Sequence, residues 1–314
     1  MNFPSSFKIT DREVGPCAPC LIIAEAGVNH FGSIEKALRL VDMAVEAGAD
    51  VLKLQHFHTD RMIGNSASDW RDRMRSKELS DADLSLIKDY CEKSGILFLC
   101  TPHDDWALRF LNEELDLPAF KIGSGEVENW PFLAQVARCE KPIILSTGMY
   151  RLDQMREAIR VLADNGCPAL AILHCVTSYP APPEVINLKV MDEIRSFFPG
   201  PVGYSDHTAG TAVPLAAVAR GAMVLEKHIT LDRDVPNAQD WKVSCDPSNF
   251  VAFVSQIREV EASLGQQKKS LGDLELNSLL WARKSLHTVT PIASGQKIEA
   301  AMLVAQRPGN GISP

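Results

Sequence analysis

The sequence predicts an α/β chain, a (β/α)8 TIM barrel followed by a small β-rich C-terminal unit. Three observations point there. Short, almost wholly apolar runs recur between residues 21 and 228, as parallel strands covered by helices do. Stretches of helical periodicity separate them, so strand and helix alternate. Eight such units fall at a spacing of roughly 20 to 30 residues within 1–265, about the length of an eight-fold barrel. A doubly wound open sheet is the rival architecture, but the first strand–helix turn, Ala26–Gly32, is not GxGxxG.

Taken in order, Leu21–Glu25 is the first strand and ends at a carboxylate. Ser33 to Gly48 is a helix: Ser33 caps it, apolar residues recur at three and four, and Gly48 stops it. Val51–Gln55 is the second strand. The connection from His56 to Ser80 is too long for a plain turn and mixes His58, Arg61, Met62, Asn65, Trp70 and Arg73. Long connections on compact domains are binding loops or lids, and this one falls on the side where barrels carry their chemistry. A helix over Asp81–Ser94 leads to the third strand, Ile96–Thr101. Ala119–Gly123, Pro142–Ser146 and Leu170–His174 follow as strands four to six. The runs starting at Val202 and Val224 are the seventh and eighth, joined by a helix within Gly210–Gly221, and Ser248–Leu264 is the last barrel helix. Residues 266–284 read as a polar, irregular linker. Residues 285–314 hold three further short segments: a strand from Ser285, a turn and strand at Ala293–Glu299, and Met302-Leu-Val. Such a unit is too short to hold a core alone.

Composition narrows the function. With 46% hydrophobic residues, 23% charged and a formal net charge of −8, the chain reads as globular. That charge argues against a general nucleic-acid or anionic-membrane surface. No apolar run approaches a membrane span, and the N-terminus lacks the regions of a signal peptide, so the expected location is cytoplasmic. Cys17-Ala-Pro-Cys20 is a CxxC without a second pair or a following helix start, and the expectation is no zinc or redox role. Cys100, Cys139 and Cys175 read as small buried hydrophobes.

The strand ends are polar where the strands are not. In a barrel, Glu25, Lys53, Gln55, Thr101, Lys121, Ser124, Glu126, Ser146, Tyr179, Ser205, His207 and His228 converge on one mouth. His207 and His228 end consecutive strands, an open two-imidazole site for a divalent metal or simply two members of a polar rim. Lys53 and Lys121 lie inside apolar strands, where an unpaired ammonium is costly. Either a salt bridge to Glu25 or Glu126 answers them, or a bound phosphate or carboxylate does. Gly123-Ser-Gly125 favours the bound anion by letting backbone N–H groups approach it.

Seven motifs closely resemble the sialic acid synthase family: Ile23–His30, Lys53-Leu-Gln55, Lys121–Glu126, Leu145–Met149, Tyr204–Thr208, Glu226-Lys-His228 and Arg307–Gly311. That family includes N-acetylneuraminate and related nonulosonic acid synthases and proteins labelled spore coat polysaccharide biosynthesis protein E. The resemblance implies a C-terminal antifreeze-like (SAF) domain, of which residues 285–314 would be an incomplete start, and a domain-swapped homodimer. It implies condensation of phosphoenolpyruvate with an N-acyl hexosamine, ManNAc-like and with or without a 6-phosphate, for surface polysaccharide. Carried over by position, Lys53, Lys121, Ser124 and Ser205 would hold the phosphate of phosphoenolpyruvate, and Thr101 and Ser146 its carboxylate. His207 and His228 would bind Mn2+ or Mg2+. Glu25, Gln55, Tyr179 and Asp240 would face the amino-sugar aldehyde and the attacking water, with Glu25 or Glu126 stabilising charge or taking a proton. Arg307 would reach the sugar's acyl group from the partner chain. The sequence departs from the family at Thr177, where an asparagine is expected, in the 56–80 loop, and in a one-residue insertion needed to align Asp240. Two other readings share some of these features: a different phosphoenolpyruvate-dependent 3-deoxy-2-keto acid synthase, and a non-catalytic polysaccharide-assembly protein.

Overall fold

The computed structural model describes residues 3–235 and 240–314. The chain forms two compact units, Met1–Leu264 and Gly265–Pro314.

In the first unit all eight expected strands form, at Leu21–Gly27, Val51–His56, Leu97–Pro102, Phe120–Ile122, Ile143–Ser146, Leu170–Cys175, Val202–Asp206 and Val224–His228. They make one sheet in the order third, second, first, eighth, seventh, sixth, fifth, fourth. Every ladder in it is parallel. The third and fourth strands lie side by side across the remaining gap, so the sheet nearly closes into a barrel.

Each strand feeds two layers, because successive side chains point to opposite faces. Ile22, Ala24, Leu52, Leu54, Phe120, Ile122 and Leu145 belong to the large cluster shared with the helices. Their neighbours Leu21, Ile23, Val51, Leu99, Ala119, Ile144, Leu173 and Val224 form a separate cluster inside the barrel. Burial on both faces is why the runs look continuously apolar. Each fully buried Leu or Ile contributes about 1.5–3 kcal/mol of transfer free energy.

The helix after the first strand spans Ile34–Ala47 and buries Ala37, Leu40, Val41, Ala44 and Ala47, one face at helical spacing. Ser33 Oγ accepts the Lys36 N–H, and Gly48 ends the helix at φ 74°. That left-handed conformation is why a glycine stands there.

Three features differ from expectation. A hairpin of Phe7–Ile9 with Arg12–Val14 precedes the barrel, and its Ile9 and Val14 join the interior cluster as a plug. Their apolar side chains are too few and too short a pattern to announce a strand pair. The linker is not irregular throughout, because Asp273–Ala282 is helical. In the second unit Ser285–Thr288 pairs antiparallel with Leu303–Gln306, while 293–299 forms no strand. Gly295 takes φ 80° there and turns the chain. Among the described residues no helix is long and apolar enough to cross a membrane.

Candidate active site

The period-two alternation carries on past the apolar interior into chemistry. Glu25 follows Leu21 and Ile23 on the inward face; Lys53 follows Val51; Thr101 follows Leu99; Lys121 follows Ala119; Ser146 follows Ile144; Cys175 follows Leu173; Glu226 follows Val224. All of these line one cavity of about 320 Å³. Gln55, Ser124, Tyr179, Ser205, His207, His228 and Asp240 line it as well. The volume is in the range of small-molecule sites.

The same alternation explains the motifs. In Tyr204–Thr208, Ser205 and His207 face the cavity. Tyr204 and Asp206 turn outward, where the Tyr204 hydroxyl donates to Asp206 at 3.0 Å. In Glu226-Lys-His228 the outer residue, Lys227, pairs with Asp206 at 2.5 Å and donates to the carbonyl oxygens of Thr208 and Gly210. The outward residues fix the loop that carries the inward ones.

A chain of charge crosses the floor. Lys53 Nζ lies 2.7 Å from Glu25 and 3.8 Å from Glu226. Lys121 Nζ lies 3.5 Å from the same Glu226 oxygen. Hydroxyls complete the set: Lys53 donates to Thr101 at 3.1 Å, Lys121 to Ser146 at 2.7 Å, and Ser205 to Glu226 at 2.9 Å. Gln55 donates to Glu25 at 2.9 Å. Burial works against ionising Glu226, but Lys121 and Lys53 outweigh it and bring its pKa down to about 2. Burial likewise opposes the charge on Lys53, which Glu226 and Glu25 more than restore. Lys121 is lowered by burial, only partly offset by Glu226. Burial raises Glu25 against the pull of Lys53, so its carboxyl is the one poised to exchange a proton.

His207 and His228 stand together with their ring centres 5.4 Å apart, and the Tyr179 ring lies 4.0 Å from that of His207. His207 Nδ1 is 2.8 Å from the Val176 carbonyl oxygen, which as an acceptor fixes its proton there and leaves the Nε2 lone pair for a ligand. His228 Nδ1 is buried with no hydrogen-bond partner, and burial lowers its pKa to about 3. Both rings therefore fit as metal ligands. Among the described residues, no three His, Cys, Asp or Glu side chains form a metal cage by themselves.

One of the sequence-derived residues stands elsewhere. Glu126 is not on the cavity wall; it accepts from Asn129 Nδ2 at 2.6 Å. It shares the 3-10 turn Ser124–Glu126 with Ser124. Side chains in such a turn diverge by about 120° per residue, so Ser124 facing in carries Glu126 away. The partner of the lysines is Glu226 beside Glu25, not Glu126. Glu226 was visible in a motif, but its role depends on two distant strands. Arg307 belongs to the second unit, where its Nε donates to the Ala282 carbonyl at 2.8 Å.

His103 and Asn29, given no role from the sequence, line the cavity, as does Thr177, which the sequence marked only as a departure from the family. Gly148 makes room there: a Cβ would fall 2.3 Å from Thr177 Oγ1 and 2.8 Å from Ser124 Oγ, and its N–H donates to that Ser124 oxygen. Cys175 is buried as expected, yet it faces the cavity with its sulfur 3.6 Å from His207 Nδ1. The long connection after the second strand contains helices Thr59–Met62 and Ser68–Arg75. It brings Trp70, Arg73, Met74 and Lys77 to the cavity wall. The described cysteines, Cys17 and Cys20 among them, form no disulfide.

The chain is 42% identical over 305 residues to an uncharacterized protein of Methanocaldococcus jannaschii, covering 97% of this chain and 90% of that one. It is 38% identical over 308 residues to the N,N'-diacetyllegionaminic acid synthase of Campylobacter jejuni, covering 93% and 92%. The crystal structure of the sialic acid synthetase from Leptospira borgpetersenii superposes with a TM-score of 0.82 at 30% identity, covering 88% and 96%. A profile of the NeuB family matches residues 40–269. The chain therefore belongs to the NeuB family, the family of sialic-acid-type synthases that its motifs resemble.

Proposed function

We propose that the protein condenses phosphoenolpyruvate with the open-chain aldehyde of an N-acyl hexosamine, ManNAc-like and with or without a 6-phosphate. The products are a nonulosonic acid of sialic type and inorganic phosphate, for cytoplasmic synthesis of a surface polysaccharide. The observation that carries this reading is the buried Glu25–Lys53–Glu226–Lys121 array beneath a ring of hydroxyls. Two ammonium groups that share one carboxylate match a doubly charged phosphate in a way that a neutral sugar alone would not need.

Lys53, Lys121, Ser124 and Ser205 hold the phosphate, and Thr101 and Ser146 the carboxylate. His207 and His228 would hold Mn2+ or Mg2+. When bound, the ion polarises the aldehyde oxygen as a Lewis acid. Tyr179, Gln55 and Asp240 orient the sugar. C3 of phosphoenolpyruvate forms the new bond to the aldehyde carbon, and positive charge develops at C2. Glu25 stabilises that charge and takes a proton from the water that adds to C2. The C2–oxygen bond to phosphate then breaks, and the two lysines steady the departing anion. In the same proposal, residues 285–314 belong to an antiparallel-paired SAF domain that caps a partner's barrel in a homodimer and presents Arg307 to the sugar; the motif resemblance supports this part.

A phosphate-release assay with phosphoenolpyruvate, Mn2+ and a panel of N-acyl hexosamines tests it. Release that needs both substrates is expected. No release with any sugar in the panel would refute the reading.

A further inference from the structure

We propose that His103 is a substrate-binding residue that donates its Nε2–H to an anionic oxygen of phosphoenolpyruvate. The proposal rests on the function above and adds a contact to it.

Its position comes from register. Leu99, Thr101 and His103 sit two apart along and just past the third strand. Leu99 is in the barrel interior, and Thr101 accepts from Lys53. His103 continues that inward series and lines the cavity. The Phe57 ring stands edge-on to it at 6.3 Å.

Its chemistry comes from what it lacks. His103 Nε2 is shut away from solvent and has no hydrogen-bond partner. An unpaired buried ring nitrogen is costly, and one on a cavity wall is placed for a partner that the cavity supplies. Burial lowers the imidazole pKa to about 4, and the Lys53 and Lys121 ammonium groups push the same way while Asp104 opposes. The ring is neutral at ordinary pH, with one N–H and one lone pair. A ligand drawn between two lysines is an oxyanion, and its oxygens accept. The nitrogen facing it must carry the hydrogen.

Calorimetric titration of phosphoenolpyruvate into the full-length protein with Mn2+ tests this. His103→Phe keeps an aromatic ring and removes the donor. His103→Asn puts its amide near the Nδ1 position, while His103→Gln reaches that of Nε2. Loss of a hydrogen bond to a charged group should weaken phosphoenolpyruvate binding by roughly 10- to 100-fold in the Phe and Asn variants. The Gln variant should remain within about threefold of wild type, and the KM of the sugar should stay unchanged in all three. The Phe variant should melt no lower than wild type, because it removes an unsatisfied polar atom. Phosphoenolpyruvate binding by the Phe and Asn variants equal to wild type overturns the proposal, as does a rise in the sugar's KM alone. Wild type that binds no phosphoenolpyruvate overturns the proposed function itself, a separate result.

Discussion

Glu226 holds two lysines at once, so its loss should be felt in folding before catalysis is measured. Glu226→Gln keeps the shape and an oxygen to accept from Ser205, but removes the charge that faces Lys53 at 3.8 Å and Lys121 at 3.5 Å. Both ammonium groups are almost wholly buried, so water cannot replace the lost carboxylate. Breaking one side of a buried ion pair costs about 3–5 kcal/mol. Unfolding entropy of about 2.1 cal/mol/K per residue gives roughly 0.55 kcal/mol/K for the 264-residue unit, and hence a fall in Tm of about 5–9 °C. Differential scanning calorimetry at neutral pH without substrate reads this. The second arm is Glu226→Gln with Lys121→Met. Removing the ammonium along with its partner should recover more than half of the loss, since an apolar side chain tolerates the site better than a lone charge. A Tm shift below about 2 °C in the single variant would show that the array is not coupled as its distances indicate. A double variant less stable than the single one would refute the reasoning outright.

Other outcomes follow from the same geometry. Glu126→Ala should keep phosphate release within about threefold of wild type, because its side chain is off the cavity wall; a loss beyond about tenfold would return it to the site. His207→Ala should lower Mn2+ affinity by more than about tenfold, the least that losing even a group behind a ligand costs, read by calorimetry, and full affinity in that variant would remove His207 as a ligand. His30 is buried, and burial lowers its pKa to about 4 from an ordinary 6.5. Between those values the unfolded chain binds a proton that the folded chain refuses, so stability is full above pH 6.5 and falls as pH drops towards 4. His30's share of the loss is on the order of 3 kcal/mol, and His30→Asn should make the fall of Tm shallower by that share, with His103 and His228 carrying the rest.

The barrel was legible because its strands are buried on both faces, which writes each as an unbroken apolar run. The site was legible for a related reason: a lysine in such a run, as at Lys53 or Lys121, demands an anionic partner, whether a carboxylate or a ligand. What stayed hidden depends on distance in sequence. Glu226 meets Lys121 across more than a hundred residues, and nothing local marks that pairing. Glu126 was misplaced because a short turn decides which of its side chains face inward. The hairpin at Phe7–Val14 escaped since its two strands have three residues each, too few to show a period. Trp70 and Arg73 were readable as part of a binding segment, but their helix is short and polar and buries no residue, so nothing local marked which side chains face the cavity.

That hairpin leaves the barrel a cul-de-sac. With Ile9 and Val14 packed into the barrel interior, a ligand lodged on the floor would enter before a bulkier one above it and depart after it. In the proposed reaction phosphate rests against the buried Lys53 and Lys121, so on release it would wait behind the bulkier sugar acid. Inorganic phosphate should then compete with phosphoenolpyruvate for the vacant enzyme, and turnover should proceed in an obligatory order rather than at random.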